Sequence, residues 1–302
     1  IRTIGVTRDA GLSGGNRRSM LPGRAGVKPG PCRRTPAPMP GLDLDAALRA
    51  AERAADAAAA AIRPWFRASL AIERKGDESP VTAADRAAEQ AMRAVLAEAF
   101  PGHGILGEEF GEDRPGASLQ WVLDPIDGTK SFVTGRPTYG SLIALLEDGV
   151  PVLGVMSQPS IGERWIGMRG RPTTFFSPIG GPAVARCRAC PSLAEAQLSL
   201  TTLDVFTPET RAQWDRLAGR VAQVTWGGDC YAHGLMALGL IDLVAETTYK
   251  IWDWAALVPI IEGAGGVITD WSGRALRPGA DGSVLAAGDA ALHEAARDLL
   301  VG

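Results

Sequence analysis

The hydrophobic positions change period several times along the chain, and each change marks an element. From Leu42 to Arg63 the sequence is alanine-rich, with Leu44, Leu48, Ala51, Ala55 and Ile62 near helical spacing. Apolar residues three and four apart share one helix face. Asp43 is placed to cap this helix and Pro64 to stop it. A second helix is predicted over Thr82–Phe100, where Thr82 and Asp85 have capping-box spacing and Pro101-Gly102 ends the pattern. Strand signals then take over. Trp121–Leu123 is one, and Ser141–Leu146 and Val152–Met156 flank the hairpin signal Glu147-Asp148-Gly149. Arg164–Met168 and Thr173–Phe176 read as further strands.

Past a Gly/Pro-rich break at 177–182, strands and helices alternate. Gln197–Thr202, Val221–Trp226, Ile241–Ala245, Val267–Thr269 and Val284–Ala287 read as strands. Helices are predicted from Thr207-Pro208 onward, over Tyr231–Leu238, over Ala255–Ala264 with Gly265-Gly266 as its stop, and over Ala290–Leu300. A mixed first half and an alternating second half indicate a layered α/β or α+β fold. Three regions follow: a tail at 1–41, a first subdomain at 42–180 and a second at 181–302.

Composition refines this. The chain has 302 residues, 46% of them hydrophobic, which is ample for a core. No run of 18 apolar residues occurs, so no membrane span is expected. Four cysteines (Cys32, Cys187, Cys190, Cys230) are too few for a disulfide-built fold, and a reducing cytoplasm is expected. The net charge of −3 hides an asymmetry. Residues 1–41 hold seven Arg and one Lys against Asp9 alone, so the body carries about −10. This tail is rich in Gly and Pro and is expected to be disordered. It starts with Ile1. Translation upstream of a start at Met39 is the favoured reading, against an Arg-rich targeting segment or a nucleic-acid-binding arm. The acidic body argues against nucleic acid as a partner.

The chemistry concentrates in Asp124-Pro-Ile-Asp-Gly-Thr129. Pro125 disfavours a helical Asp124, so the strand ends there in a bend. Two carboxylates three apart across a bend can converge on one point, and the bend frees carbonyls such as that of Ile126. These are hard oxygen donors, suited to Mg²⁺. Gly128 and Thr129 stand where a helix could start, with free N–H groups for phosphate oxygens. A capped turn with solvated acids is the competing reading. Glu108 has a solvated loop acid as its alternative, Asp253 a helix N-cap, and Asp85 the acid of the capping box.

Taken with Gly107-Glu108-Glu109, the segment Trp121–Phe132 (WVLDPIDGTKSF) and the segment Trp252–Gly266 (WDWAALVPIIEGAGG) resemble the inositol monophosphatase family of Mg²⁺-dependent, lithium-sensitive phosphatases. Ser79–Asp85 (SPVTAAD) matches that family's lead-in motif, and the resemblance runs from about residue 42 to the end. It implies a layered α-β-α-β-α sandwich, commonly a homodimer, and two to three Mg²⁺ ions. Glu108, Asp124, Asp127 and Asp253 would be metal ligands through their side chains, and Ile126 through its carbonyl. Gly128 and Thr129 would hold the phosphate, while Asp85 and Thr129 orient the attacking water. Lys75 would add positive charge over the phosphate, or is a solvated loop lysine.

Within the superfamily, Asp124–Phe132 and Gly227-Gly228-Asp229-Cys230-Tyr231 look most like the histidinol-phosphate phosphatase branch, as do Glu163-Arg164-Trp165 and Arg169-Gly170. Glu246 corresponds to a position on the leaving-group side of the substrate. Asp229 and Glu246 would suit the ammonium and imidazole of histidinol phosphate by charge pairing, although inositol hydroxyls would accept the same acids. Asp229 has a helix N-cap as its alternative, and Arg171-Pro172 departs from the small-residue step expected there. Inositol phosphate or another small phosphomonoester is the alternative substrate, and a catalytically silent metal-binding homologue is the alternative of another class. Cys187-Arg-Ala-Cys190 is half a zinc pattern and reads as structural.

Overall fold

Helix α1 (Leu44–Ile62) forms where the alanine periodicity places it, and Asp43 caps it by accepting from the N–H groups of Asp45 and Ala46 at 3.0 and 2.9 Å. This computed structural model describes residues 42–68, 73–74, 80–81, 83–180 and 183–302. The tail at 1–41, Lys75 and the cap residue Thr82 lie outside the described residues.

After α1 come β1 (Glu73–Arg74), β2 (Pro80–Val81), α2 (Ala83–Ala99), β3 (Gly104–Gly107), β4 (Gly111–Asp113) and β5 (Leu119–Asp127). Then follow α3 (Thr129–Val133), β6 (Gly140–Glu147), β7 (Val150–Gln158), β8 (Glu163–Met168), β9 (Arg171–Phe176) and β10 (Ala183–Val184). The rest of the chain supplies β11 (Gln197–Leu200), α4 (Pro208–Ala218), β12 (Gln223–Trp226), α5 (Asp229–Ala237) and β13 (Leu243–Glu246). It closes with α6 (Ile251–Trp254), α7 (Leu257–Gly263), β14 (Val267–Thr269), β15 (Val284–Ala287) and α8 (Ala290–Val301).

Besides the small β1–β2 ladder, the described strands form two sheets. One has eight strands in the order β10-β9-β8-β7-β6-β5-β3-β4, and the other five in the order β12-β11-β13-β15-β14. Helices α1 and α2 pack on one face of the larger sheet, and α5, α6 and α7 on the other. The same middle helices reach the smaller sheet, whose far face carries α4 and α8. The layers therefore run α-β-α-β-α, as the family resemblance implies, and residues 43–302 make one unit. No described helix is long and apolar enough to cross a membrane.

Strand periodicity decides what faces the middle layer. In β5, Trp121 lies against Phe100 at the end of α2, with ring centroids 5.8 Å apart, while Val122 joins the middle core. Side chains alternate along a strand, so Asp124 shares the face of Val122. In β13, Leu243 and Ala245 belong to the outer core and Val244 to the middle one, which turns Glu246 inward. Both sheets thus deliver an acid to the same layer.

Two predicted elements differ in detail. The helix expected over Ala255–Ala264 is the shorter α7, and a separate short helix that was not expected, α6, precedes it. Helix α5 starts at Asp229, two residues before its predicted start.

Candidate active site

The pairing of β5 with β6 runs in register from Leu119 to Asp124 and resumes only at Asp127, opposite Gly140. The bulge comes from Pro125, which has no N–H to give the ladder. It takes Pro125 and Ile126 out of regular pairing: the Pro125 carbonyl accepts from Ser141 Oγ at 2.7 Å and the Ile126 carbonyl from Thr129 Oγ1 at 3.2 Å. Gly128 then turns the chain with a φ of 80°, and α3 begins at Thr129. A left-handed residue costs glycine nothing.

Asp124, Asp127 and Asp253 converge. Each offers a carboxylate oxygen, and these oxygens lie within 4.8 Å of one another. Asp253 comes from the first turn of α6, where its Oδ2 accepts the Lys250 N–H at 2.6 Å. It is the third residue of a capping box, and not the N-cap that its position before a helix suggests. Asp127 Oδ2 accepts the Cys230 N–H at 2.6 Å, which ties β5 to the start of α5. Glu108, in the β3–β4 turn, lines the same cavity and is close enough for its charge to act on both Asp124 and Asp253.

So many acids in a buried place cannot all stay charged unaided. Burial, then the charges of Glu108, Asp127, Asp253 and Asp85, push Asp124 well above the usual carboxylate range. Burial and the charges of Asp229 and Asp253 do the same to Asp127, against the Cys230 hydrogen bond. Burial raises Asp253 to about 7. Asp124 Oδ1 is buried with no hydrogen-bond partner. An orphaned carboxylate oxygen beside three more acids is the donor set a divalent cation satisfies, and the hard oxygens suit Mg²⁺ or a similar ion and not a soft one.

A cavity of about 440 Å³ opens from this cluster. Glu108, Asp127, Gly128, Thr129, Asp229, Glu246 and Asp253 all line it, so the structure brings these predicted residues together. Asp85 is 1% exposed and acts on Asp124 by its charge. Glu246 is buried, accepts the Thr201 N–H at 2.7 Å, and is pushed up to about 8 by burial.

Asp229 differs from its N-cap alternative. It is the first residue of α5, with Gly228 before it, and its φ is 46°. Its Oδ2 accepts from Ser131 Oγ at 2.5 Å and Thr138 Oγ1 at 2.9 Å. One oxygen is therefore committed to the α3 loop. Arg136 and Lys130, which line the cavity too, weigh against the burial that raises its pKa. Sequence reading missed Arg136, Ser131 and Thr138. They lie seven to nine residues after Asp127–Thr129 or inside α3, and nothing in their spacing marks them. The Cys187-x-x-Cys190 pair stays free thiols, with Cys187 pushed up to about 11 by burial.

Known proteins agree with this geometry. The inositol monophosphatase family model matches residues 43–301. The chain is 43% identical over 275 residues to the chloroplastic bifunctional phosphatase IMPL2 of Arabidopsis thaliana, covering 88% of this chain and 78% of that one. It is 40% identical over 256 residues to the histidinol-phosphatase of Mycobacterium tuberculosis, covering 83% and 95%. A solved inositol monophosphatase from Zymomonas mobilis superposes with a TM-score of 0.78 at 48% identity, over 86% of this chain and 99% of that one. Acid cluster, layered fold and full-length likeness lead to one conclusion: this chain belongs to the inositol monophosphatase family and is a phosphoric monoester hydrolase.

Proposed function

We propose that the enzyme hydrolyses L-histidinol phosphate to L-histidinol and phosphate with Mg²⁺ as cofactor. The observation that carries this reading is the placement of Asp229 and Glu246 on the same cavity wall as Gly128 and Thr129. A phosphate held at Gly128–Thr129 leaves its alcohol beside two buried acids. An alcohol bearing an ammonium and an imidazole would favour the charged form of both acids against the burial that raises them, and such charge-assisted bonds are about twice as strong as neutral ones. The likeness to the M. tuberculosis histidinol-phosphatase over nearly its whole length supports the same choice. The Z. mobilis relative keeps inositol phosphate as the second reading.

In this reading Glu108, Asp124, Asp127 and Asp253, with the Ile126 carbonyl, hold two to three ions. When bound, such ions supply positive charge to phosphoryl oxygens and lower the pKa of a bound water. The backbone N–H groups of Gly128 and Thr129 face the phosphoryl group and stabilise the charge that builds there. The Thr129 hydroxyl gives its proton to the Ile126 carbonyl, so its lone pairs are left to accept from the attacking water. Asp85, buried beside Asp124, is the second acceptor for that water. We also place the enzyme in the cytoplasm as a homodimer, the three free thiols among the described residues supporting a reducing setting.

The test is a comparison of kcat/KM for L-histidinol phosphate, inositol-1-phosphate and 3′-phosphoadenosine 5′-phosphate. Histidinol phosphate is expected to lead by at least about tenfold, the worth of a single 1.4 kcal/mol contact. Leadership by inositol-1-phosphate, unchanged in Asp229→Asn, would overturn the substrate assignment and leave the phosphatase chemistry standing.

A further inference from the structure

Helix α2 buries an acid that the reaction does not use. Glu89 is 0% exposed and lies four residues after Asp85, on the same helix face. A buried carboxylate needs partners, and Glu89 finds them in one turn and in Arg93. Its Oε2 accepts the Glu109 N–H at 2.7 Å, and its Oε1 accepts the Phe110 N–H at 3.2 Å. Arg93, one turn further along α2, donates to Glu89 Oε1 at 2.7 Å and also to the Gly111 carbonyl. The pair thus grips residues 109, 110 and 111.

That turn joins β3 to β4, whose ladder closes at Gly107 opposite Gly111. Glu108 is its first residue, and its own N–H donates to the Leu123 carbonyl of β5 at 3.2 Å, next to Asp124. The Glu89 carboxylate also occupies the space above Gly107: a Cβ built there would lie 1.9 Å from Glu89 Oε1. Glu108 is therefore held between β5 on one side and the Glu89–Arg93 pair on the other. Turn tips with free N–H groups ordinarily bind water and move. This one is locked to a helix.

We propose that Glu89 is a positioning residue: by fixing the 107–111 turn from α2 it sets the direction in which Glu108 presents its carboxylate to the cation cluster. The proposal rests on reading Glu108 as a cation ligand. Removing a group that orients a metal ligand typically costs about 10–100-fold in affinity or activity.

The experiment is Mg²⁺ titration by calorimetry, with Mn²⁺ as a second probe, on the purified wild type, Glu89→Gln, Glu108→Gln and the double variant. Glu89→Gln is expected to weaken Mg²⁺ binding at least tenfold, with KM for the phosphate substrate at saturating Mg²⁺ changed less than twofold. Because Glu89 acts through Glu108, the double variant should bind no more weakly than Glu108→Gln alone. A Glu89→Gln protein that binds Mg²⁺ as wild type does, while Glu108→Gln is weakened, overturns the role of Glu89. So do purely multiplicative losses in the double variant. Unchanged binding in Glu108→Gln instead sinks the ligand reading of Glu108, and with it this proposal's premise. If Glu89→Gln does not fold, Arg93→Gln serves in its place. It removes the Gly111 contact and the balancing charge, should weaken Mg²⁺ binding at least threefold, and overturns the proposal if it leaves binding unchanged.

Discussion

Adding one methyl group at Gly128 should measure how tightly the turn between β5 and α3 is packed against α5. Gly128 has a φ of 80°, which costs an alanine about 1–2 kcal/mol on its own. A Cβ there would lie 2.6 Å from Asp229 Cγ and 2.9 Å from both Asp229 Cβ and Oδ2. Asp229 cannot swing aside cheaply, since Ser131 and Thr138 hold its carboxylate. Overpacking of this kind costs about 1–3 kcal/mol more. Gly128→Ala should therefore lose roughly 2–5 kcal/mol in urea unfolding, read from the shift in midpoint at constant slope. In an Asp229→Gly background all three clashing atoms are gone, and only the backbone cost should remain. The double-mutant cycle is expected to show a coupling of about 1–3 kcal/mol. Equal losses in both backgrounds, within about 0.5 kcal/mol, would mean that Asp229 does not press on the turn and that the described contact is wrong.

Asp127→Asn should abolish turnover while leaving the protein folded by circular dichroism; near-normal Mg²⁺-dependent activity would refute the ligand assignment. Chelation should stop catalysis, and Mg²⁺ should raise Tm more at pH 8 than at pH 6. Asp253, raised to about 7, must lose its proton to take a cation, so the added stability grows as pH rises through 7. Equal Tm gains at the two pH values would refute this. His233 is fully buried, and burial pushes it down to about 4 against a hydrogen bond with the Asp229 backbone. Below pH 6.5 the unfolded chain takes a proton that the folded one refuses, so stability present at pH 7 is lost as pH falls toward 4. The loss is about 3 kcal/mol. The difference in unfolding free energy between wild type and His233→Leu should carry that slope, and a flat difference would refute it.

Much of this was legible in the residues because strong local signals agreed with the tertiary structure. Pro125 marked the bulge in β5, although the strand resumes beyond it and ends at Asp127 and not at Asp124 as expected, and the β6–β7 hairpin could be read because Asp148-Gly149 supplies left-handed turn residues. Strand β4 left no trace, since Gly111–Asp113 is exposed throughout and has no apolar alternation to read. For Asp229 it is the alternative reading, a helix N-cap, that the structure does not bear out. Asp before a helix ordinarily caps it, and only contacts from Ser131 and Thr138, about ninety residues away in sequence, turn it to another use. Glu89 had a visible signal, its spacing from Asp85, yet a glutamate in a helix reads as solvated until a second element is known to cover it. Asp253 shows the same limit. Its partners Asp124 and Asp127 belong to another layer, and no local pattern states that the layers meet there.

The last acid of the cluster, Asp253, lies more than 120 positions beyond Asp127, on a helix of the middle layer. A ribosome adding about 5–20 residues per second delivers it many seconds after the other three acids have emerged. Until then the cluster lacks its fourth carboxylate. All strands of the larger sheet are synthesised before Asp253, so in the proposed Mg²⁺ reading the metal would act as a late fastener on that scaffold, not as the seed around which it grows.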